Sequence, residues 1–442
     1  MSRTLVIGDT GIAARACREL TGEGRDVTHL LTPTDKDLRA ALTQDVDAVV
    51  VLFHDDTLAI RYVLTIEHIR SGVAIWVAMF DHTAAEELHR VVKNLTVASP
   101  ATLGLPSLLA GVMGGTAIAI KPPELTALTP AGDTYEMQAF HVPPAMRREG
   151  RIGRLRGQLR PYNNRSVIMM GGLIGLLCIL VVDTLLLIFL VGREPLKALH
   201  EAVAVLATVG PAPEAVEHPA YEVFAIFAML AAIILLAVFT AGVVDHLVAG
   251  RFVGIFGRRA MPRSGHVIVV GIGQVGLRLC EELRRLGIAV VGVERQSKTV
   301  NMIVARSLNI PVVVGDGASA RTLRRVSVER SLAVVAVCSD ELENIAAAVT
   351  ARALAPDVQV VMRAGMNEAI SETASLLTVG SVVDVDALTV TAVSAWCAGH
   401  KVDFLAKSPT GTAVVYTDGE VSTMRPPGGG QCAHRDPAGV AG

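Results

Sequence analysis

Aromatic and charged side chains are scarce in this chain of 442 residues. Aromatic residues make up 4% of it, too few for the stacking platforms that bind single-stranded nucleic acid. Charged residues make up 19% and the net charge is −2, so the sequence lacks the basic surface that nucleic acid requires. The six cysteines show no CxxC spacing, which argues against a zinc site. We expect no nucleic-acid partner and no metal site.

Hydrophobic residues are abundant instead, at 51% of the chain, and the mean hydropathy is +0.48. Two apolar runs account for much of this excess: residues 166–192 hold one charge, Asp183, and residues 223–244 hold none. Helices of these lengths span roughly 30–40 Å, enough to cross the hydrocarbon core of a bilayer. The sequence therefore predicts an integral membrane protein with two transmembrane helices, in contact with lipid.

Arginines flank the two runs asymmetrically. Between the runs, residues 193–220 hold only Arg193 and Lys197 as basic residues, against four glutamates. By the positive-inside rule, both termini lie in the cytoplasm of a multi-pass plasma-membrane protein. The flanking arginines are Arg147, Arg148, Arg151, Arg154, Arg156, Arg160 and Arg165 before the first run, and Arg251, Arg258, Arg259 and Arg263 after the second.

The segment between the two runs is longer than a simple connection. Pro195 can begin a helix, and apolar residues then recur at helical spacing. A short apolar helix followed by a Gly/Pro segment favours a re-entrant loop that lines a pore; the alternative is an ordinary extracellular loop. The helical positions are Leu196, Leu199, Val203 and Leu206, and the segment after them contains Thr208, Val209, Gly210, Pro211 and Ala212.

Asp183 lies in the outer half of the first run. An ionisable residue there usually faces a bundle interior or a water-filled cavity, so it is a functional candidate. The alternative is a structural hydrogen bond to the short helix.

The order of span, short helix, loop and span resembles the pore module of potassium-channel-like proteins. The filter of that family is Thr-Val-Gly-Tyr-Gly, which this chain matches at Thr208, Val209 and Gly210. Pro211 and Ala212 depart from it, and alanine resists the positive φ that the second glycine allows, so ion selectivity stays open. The resemblance implies an ion pathway along residues 208–212, a monovalent cation such as K⁺, and four copies of the chain around one axis.

Behind the second run, a buried-strand pattern at 266–270 leads into a GxGxxG sequence and then a helical pattern. Such glycines allow a tight turn and the close approach of a pyrophosphate to a helix N-terminus. A carboxylate at the end of the next strand, Glu294, stands where the ribose hydroxyls are bound. The candidate residues are Gly271, Ile272, Gly273, Gln274, Val275, Gly276, Glu294 and Arg295.

Further strand patterns at 311–314, 333–337 and 358–362 alternate with helical ones, which predicts a parallel sheet. Residues 266–363 resemble the NAD-binding RCK (TrkA-N) domain of potassium-transport regulators and ligand-gated potassium channels. The resemblance implies NAD(H) or an adenine nucleotide (ATP or ADP) as ligand, with Gly315 and Asp316 near the adenosine and Asp340 near the cleft mouth. Both aspartates could instead cap helices.

The first hundred residues repeat this pattern in altered form. Gly8 aligns with the first glycine, but Thr10 and Ala13 replace the other two and Leu31 replaces the carboxylate. This first copy of the pattern is 22 residues shorter than the later one, and the missing piece would contain the third strand. We expect a second Rossmann-like domain without a cofactor; the alternative is a partial site that uses Gly11.

Together these patterns predict α/β Rossmann-like cytoplasmic domains flanking an all-α two-span pore module. The function expected is that of a nucleotide-gated cation channel without catalytic residues. The alternatives are a nucleotide-sensing regulatory subunit of an ion transporter and a membrane-bound NAD-dependent oxidoreductase. The expected segments are a degenerate Rossmann domain (1–120), a linker with an Arg-rich juxtamembrane helix (121–165), the first span (166–192), the pore helix and filter-like loop (193–220), the second span (221–249), a linker (250–264), the RCK domain (265–407, with a helix over 388–407) and a disordered tail (408–442).

Overall fold

The computed structural model describes residues 3–146, 164–210, 218–248, 261–364 and 380–424, apart from residues 44, 133, 263, 298, 409 and 410. Two compact units are present, one built from residues up to 154 and from 262 onward, the other from residues 155–261. The expected arginine flanks, the linker 250–264 and the chain from 425 lie largely or wholly outside the described residues.

The first unit begins with a parallel five-stranded sheet in the order β2-β1-β3-β4-β5, which we call the front half. Its core is formed by branched apolar residues of the strands together with apolar faces of the helices between them. The strands are β1 Arg3–Ile7, β2 Asp26–Leu30, β3 Ala48–Val51, β4 Ala74–Ala78 and β5 Leu95–Ala98; the helices are α1 Gly11–Gly22, α2 Asp35–Leu42, α3 Asp56–Ile69, α4 His82–Val91 and α5 Pro100–Met113.

A second parallel sheet, the rear half, has six strands in the order β11-β10-β9-β12-β13-β14. Its strands are β9 His266–Val270, β10 Ala289–Glu294, β11 Val312–Val314, β12 Ala333–Ala336, β13 Gln359–Ala364 and β14 Ser381–Asp384. Its helices are α9 Gln274–Arg285, α10 Val300–Ser307, α11 Ala320–Arg325, α12 Glu341–Leu354 and α13 Val385–Cys397.

The two sheets confirm the expected Rossmann-like fold class in both halves. The sheets differ at the strand that the 22-residue gap was expected to remove. In the rear sheet β11 lies outside β10, whereas the described part of the front sheet ends at β2. The expected helix over 388–407 is wrong at its end. It stops at Cys397, and Gly399, with φ +87°, turns the chain into a strand.

One helix of the front half packs against the rear half. Helix α5 contacts α9 and strands β13 and β14, while α13 contacts α1 and α5. Two glycines of α5 permit this approach: a methyl group at Gly104 would lie 2.7 Å from the Val385 side chain, and one at Gly111 would lie 2.8 Å from Ser381 Oγ. The two halves therefore form one packed body.

Each of α5 and α13 leads into a three-stranded antiparallel sheet. The two small sheets share a buried apolar cluster that includes Leu128 and Phe404, and Lys121 Nζ donates to Asp403 at 2.7 Å. The linker expected over 121–165 and the disordered tail expected from 408 are therefore wrong for these residues. Their alanine- and threonine-rich strands carry little apolar periodicity and gain stability from facing each other. They are β6 Ala119–Lys121, β7 Thr126–Ala131, β8 Thr134–Ala139, β15 Val402–Ser408, β16 Gly411–Tyr416 and β17 Val421–Met424.

The second unit holds three helices: α6 Asn164–Phe189, α7 Pro195–Leu206 and α8 Pro219–Val248. By length and composition, Met170–Phe189 and Pro219–Ala241 could each cross a membrane, with mean hydropathies of 2.7 and 2.9. Helices α6 and α8 approach closely at Gly172, where a methyl group would lie 3.1 Å from the Leu235 carbonyl oxygen.

Two expectations about this unit change. On α7, the face buried against the other helices carries Ala198, Ala202 and Val205, so the expected stripe with Leu196 and Leu199 points away from them. Asp183 is fully buried, and it accepts its hydrogen bond from Tyr221 on α8, at 2.9 Å, rather than from the short helix. The Tyr221 side chain extends from α8 to α6. The spacing of apolar residues alone does not predict this contact.

Charged side chains meet at the interface of α1 and α13. Arg15 Nη1 donates to Asp384 Oδ2 at 2.8 Å, and Arg15 Nε lies 3.8 Å from Glu19 Oε1. Glu23 accepts a hydrogen bond from Ser394. The Glu19 side chain is only 13% exposed. Burial raises its pKa from 4.5 to about 7, although Arg15 opposes the shift.

Replacing Glu19 with Gln should stabilise the folded chain at high pH. The folded carboxyl keeps its proton to about pH 7 whereas the unfolded one loses it near 4.5, so wild-type stability falls as pH rises between these values. We expect Glu19→Gln to be more stable by about 1–3 kcal/mol at pH 8 and no different near pH 4.5. Thermal unfolding at both pH values measures this. Glu87→Gln, on the exposed face of α4, is the matched control, and a less stable Glu19→Gln at pH 8 would refute the prediction.

Candidate functional site

The glycine loop of the rear half turns sharply between β9 and α9. Gly271 has φ +91°, and a methyl group there would lie 2.8 Å from the Cys338 amide nitrogen. A methyl group on Gly276 would lie 1.9 Å from the Gly271 carbonyl oxygen. At Gly273, by contrast, a methyl group would meet no atom within 4 Å. Two glycines thus serve internal packing, and the third leaves open space at the N-terminus of α9.

Glu294, at the end of β10, is fastened to this loop. Its Oε2 accepts a hydrogen bond from the Ile272 amide at 2.9 Å, and its Oε1 accepts one from the Gln296 amide at 3.0 Å. The carboxylate therefore has a fixed position beside the open face of Gly273, as a group that recognises ribose hydroxyls requires.

The remaining predicted polar residues lie at two places along the same sheet edge. Gly315 and Asp316 line a cavity of about 30 Å³ together with Glu294 and Arg295. Asp316 accepts from the Ala318 amide at 2.9 Å, and Asp340 accepts from the Leu342 amide at 2.9 Å as the N-cap of α12. Asp340 thus makes the capping contact that the sequence left open, whereas Asp316 closes a turn ahead of α11, whose N-cap is Ser319. Both aspartates line cavities.

A larger cavity of about 900 Å³ opens beside the glycine loop and is lined by both halves. The rear half contributes Gly271, Gly273, Gln274, Val275, Glu294, Arg295 and Asp340 from the predicted set. The front half contributes a wall that the sequence did not predict, because it depends on how the halves pack. That wall includes Thr10, Gly11, Ile12, His54 and Phe80.

Asn344, on α12, holds the cavity's rear wall together. Its side chain accepts from the Cys338 amide at 2.7 Å and donates to the carbonyl oxygens of Cys338 and Arg363, both at 3.0 Å. The residue is 1% exposed. It therefore fixes the ends of β12 and β13 relative to each other, and through Cys338 it supports Gly271.

Cys338 is not a reactive thiol. Burial raises its pKa to about 12, so the sulfur stays protonated at neutral pH.

Two ion pairs cross the cavity wall. Arg295, a predicted site residue after β10, pairs with Glu343 on α12. Arg363, the last residue but one of β13, donates from Nη2 to Asp386 Oδ1 at 3.2 Å. Neither pairing was predicted, because the sequence shows only a basic residue near the end of each strand, which is hard to distinguish from an ordinary surface charge.

The front-half loop is filled by its own side chain. Thr10 Oγ1 donates to the Leu52 carbonyl oxygen at 3.0 Å and accepts from the Ala13 amide at 3.3 Å as the N-cap of α1. The residue is 8% exposed. Thr10 therefore occupies the helix N-terminus that Gly273 leaves open in the rear half. Leu31, in place of Glu294, provides no carboxylate.

The filter-like residues follow α7 directly. Thr208 has φ +60° and Gly210 has φ +107°. The Val209 amide donates to the Ala204 carbonyl and the Thr208 amide to the Val205 carbonyl, both at 2.9 Å, which closes the helix in a Schellman motif. Pro211 and Ala212 lie outside the described residues.

Comparison with known proteins agrees with these observations. Residues 267–383 match the family model of the TrkA-N domain. Potassium channel protein 1 of Methanocaldococcus jannaschii is 23% identical over 198 residues, which are 44% of this chain and 60% of that protein. The chain thus matches less than two thirds of the relative's length.

Among solved structures, the crystal structure of the GsuK RCK domain superposes with a TM-score of 0.50 at 13% identity, covering 90% of this chain and 77% of that one. The GsuK channel bound to NAD gives a TM-score of 0.48 at 14% identity, covering 89% and 63%. The first likeness establishes the fold.

The fold is that of two Rossmann halves, and the rear half is similar to the TrkA-N domain over residues 267–383. In the sequence, two apolar helices long enough to cross a membrane lie between the two halves.

Gly273→Ala should weaken ligand binding without lowering the stability of the fold. A methyl group at this position meets no protein atom, and its φ of −74° suits alanine, so the unfolding temperature should not fall. The same methyl group would stand where a pyrophosphate approaches, so ADP should bind at least tenfold more weakly, about 1.4 kcal/mol. Calorimetric titration with ADP and a thermal unfolding curve measure the two effects.

Gly276→Ala is the matched comparison. Its methyl group collides with the Gly271 carbonyl, so it should destabilise the chain by roughly 1–3 kcal/mol. If Gly273→Ala lowered stability as Gly276→Ala does, or bound ADP as the wild type does, the open face of Gly273 would not be a ligand site.

Proposed function

We propose that this chain is a subunit of a ligand-gated cation channel of the potassium-channel type, gated by a nucleotide bound to its rear Rossmann half. The observation that carries the proposal is a strained threonine: Thr208 adopts a left-handed conformation at the end of a short helix between two membrane-length helices. A β-branched residue with φ near +60° costs about 1–3 kcal/mol, and such strain is typical of functional sites.

The short helix gives this segment an electrostatic role. A helix carries a partial negative charge at its C-terminus, which stabilises a nearby cation. Helix α7 ends at Leu206, so the filter-like residues 208–212 follow its negative end. The similarity to Potassium channel protein 1 supports K⁺ as the permeant ion. Pro211 and Ala212, in place of tyrosine and glycine, make selectivity the property that most needs measurement.

Two spans cannot enclose a pore, so several chains must assemble. We propose four, as the resemblance to potassium channels implies, in contact with membrane lipid. The arginine-rich flanks support a plasma-membrane orientation with both Rossmann halves in the cytoplasm.

The nucleotide site that we propose lies in the rear half. NAD(H) or an adenine nucleotide would place its phosphates at residues 271–276 and its ribose at Glu294, with Arg295, Gly315, Asp316 and Asp340 around it. The open face of Gly273, the fixed carboxylate of Glu294 and the TrkA-N match support this assignment. In the front half, the side chain of Thr10 argues against a second site.

Gating would then be a shift between two conformations. A ligand changes the open fraction only if it binds the open and closed forms with different affinity. In sequence, residues 249–265 join the second span to β9, so a movement of the rear half would act on α8 through this connection.

Flux from reconstituted vesicles tests the function. Purified protein should carry K⁺ across a bilayer, and the flux should change with added ADP or NAD(H). Gly273→Ala is the control, because it should keep the flux and lose its response to nucleotide. Nucleotide binding without flux of any cation would favour the regulatory-subunit alternative, and turnover of NADH to NAD⁺ would favour the oxidoreductase.

Thr208→Gly provides a second test within the pore segment. Glycine adopts φ +60° without strain, so the free energy of unfolding should be the same or higher by about 1 kcal/mol. The unfolding temperature of the variant should therefore not fall. If Thr208 lines an ion pathway, the same change should lower K⁺ flux or its selectivity over Na⁺. Unchanged flux and selectivity would mean that Thr208 only ends the helix.

A further inference from the structure

The first turn of α13 carries two carboxylates that are held from opposite sides. Asp384 accepts from Arg15, on α1 of the front half, at 2.8 Å. Asp386 accepts from Arg363, at the end of β13, at 3.2 Å. Only the second pair lines the large cavity. Asp386 therefore lies at the cavity, and Asp384, nearby in the chain but outside the cavity, can serve as a control residue.

The cavity lining is anionic, which is unfavourable for a phosphate. Five carboxylates, Glu294, Asp340, Glu341, Glu343 and Asp386, face it against two arginines, Arg295 and Arg363. Arg295 is 59% exposed and paired with Glu343, whereas the Arg363 side chain is 18% exposed. A charge acts more strongly where water is largely excluded, so Arg363 is the stronger candidate to bind an anion.

Arg363 has a fixed backbone and an exchangeable side chain. Its carbonyl oxygen is held by Asn344 at 3.0 Å, so the residue cannot leave the wall. Among the residues that the structure describes, a single hydrogen bond at 3.2 Å joins its guanidinium to Asp386, and a guanidinium has five N–H donors. It can therefore turn toward a phosphate, which it binds in bidentate geometry.

The carboxylate of Asp386 binds the Arg363 guanidinium weakly. Its side chain is 7% exposed, and burial raises its pKa above the ordinary value in spite of the nearby Arg363 and Arg15. Asp384 lies close and adds repulsion. The ionised form of Asp386 is thus poorly stabilised, and a doubly charged phosphate competes well against it.

We propose that Arg363 is a phosphate-binding residue of the cavity, and that Asp386 is the internal anion that competes with the ligand's phosphate for it. This inference rests on the proposed nucleotide site. The Arg363–Asp386 pair weakens the binding of ligands that carry phosphates and does not affect the binding of ligands that lack them.

The test compares ADP with adenosine on the full-length purified protein. Asp386→Asn removes the competing charge at nearly constant shape, so ADP should bind roughly three- to tenfold more tightly. Arg363→Gln removes the cation, so ADP should bind roughly tenfold more weakly. Neither variant should change adenosine affinity by more than about twofold. In the Arg363→Gln background, Asp386→Asn should no longer tighten ADP binding.

Asp384→Asn is the matched control. It removes a carboxylate from the same helix turn, but one whose partner is Arg15, and asparagine can still cap α13. By removing the repulsion on Asp386, it should leave ADP affinity unchanged or slightly weaker, and it should not tighten ADP binding as Asp386→Asn does. If Arg363→Gln fails to fold, Arg363→Lys keeps the charge without the planar fork and should lose less ADP affinity.

The outcomes distinguish the inference from the proposed function. Wild-type protein that binds ADP, with Asp386→Asn unchanged or weaker, overturns the role given to this pair. Equal shifts in ADP and adenosine affinity also overturn it, because they indicate a general structural effect. Wild-type protein that binds neither ADP nor NAD⁺ refutes the proposed nucleotide site itself.

Discussion

The unit that contains both Rossmann halves depends on the packing of α5 and α13 between them. Helix α5 belongs to the front half but lies on α9 and on the edge of the rear sheet, and it can approach closely only because Gly104 and Gly111 have no side chains. This packing brings the N-terminal ends of α1 and α9 to one cavity. Without it, the open glycine loop of the rear half would have no wall from the front half.

Within this shared frame, small chemical differences give the halves unequal roles. Gly273 leaves the N-terminus of α9 open, while Thr10 closes that of α1 with two hydrogen bonds of its own. Glu294 is tied to its loop, and the front half has Leu31 at the matching position. Of the two similar scaffolds, the rear one has the open glycine loop and the fixed carboxylate.

Local sequence patterns were sufficient for the Rossmann halves and the apolar helices. Buried strands such as β9, followed by a glycine loop, have a periodicity and turn chemistry that leave few alternatives. The small sheets were missed because strands such as β7 and β16 become buried only against each other. The front wall of the cavity and the Arg363–Asp386 pair were missed because both arise from packing between distant segments.

The number of nucleotides bound per chain tests this account most directly. Calorimetric titration of the full-length protein with ADP should give a stoichiometry of one per chain. A stoichiometry of two would show that the front loop binds despite Thr10, and would contradict the unequal roles assigned to the halves.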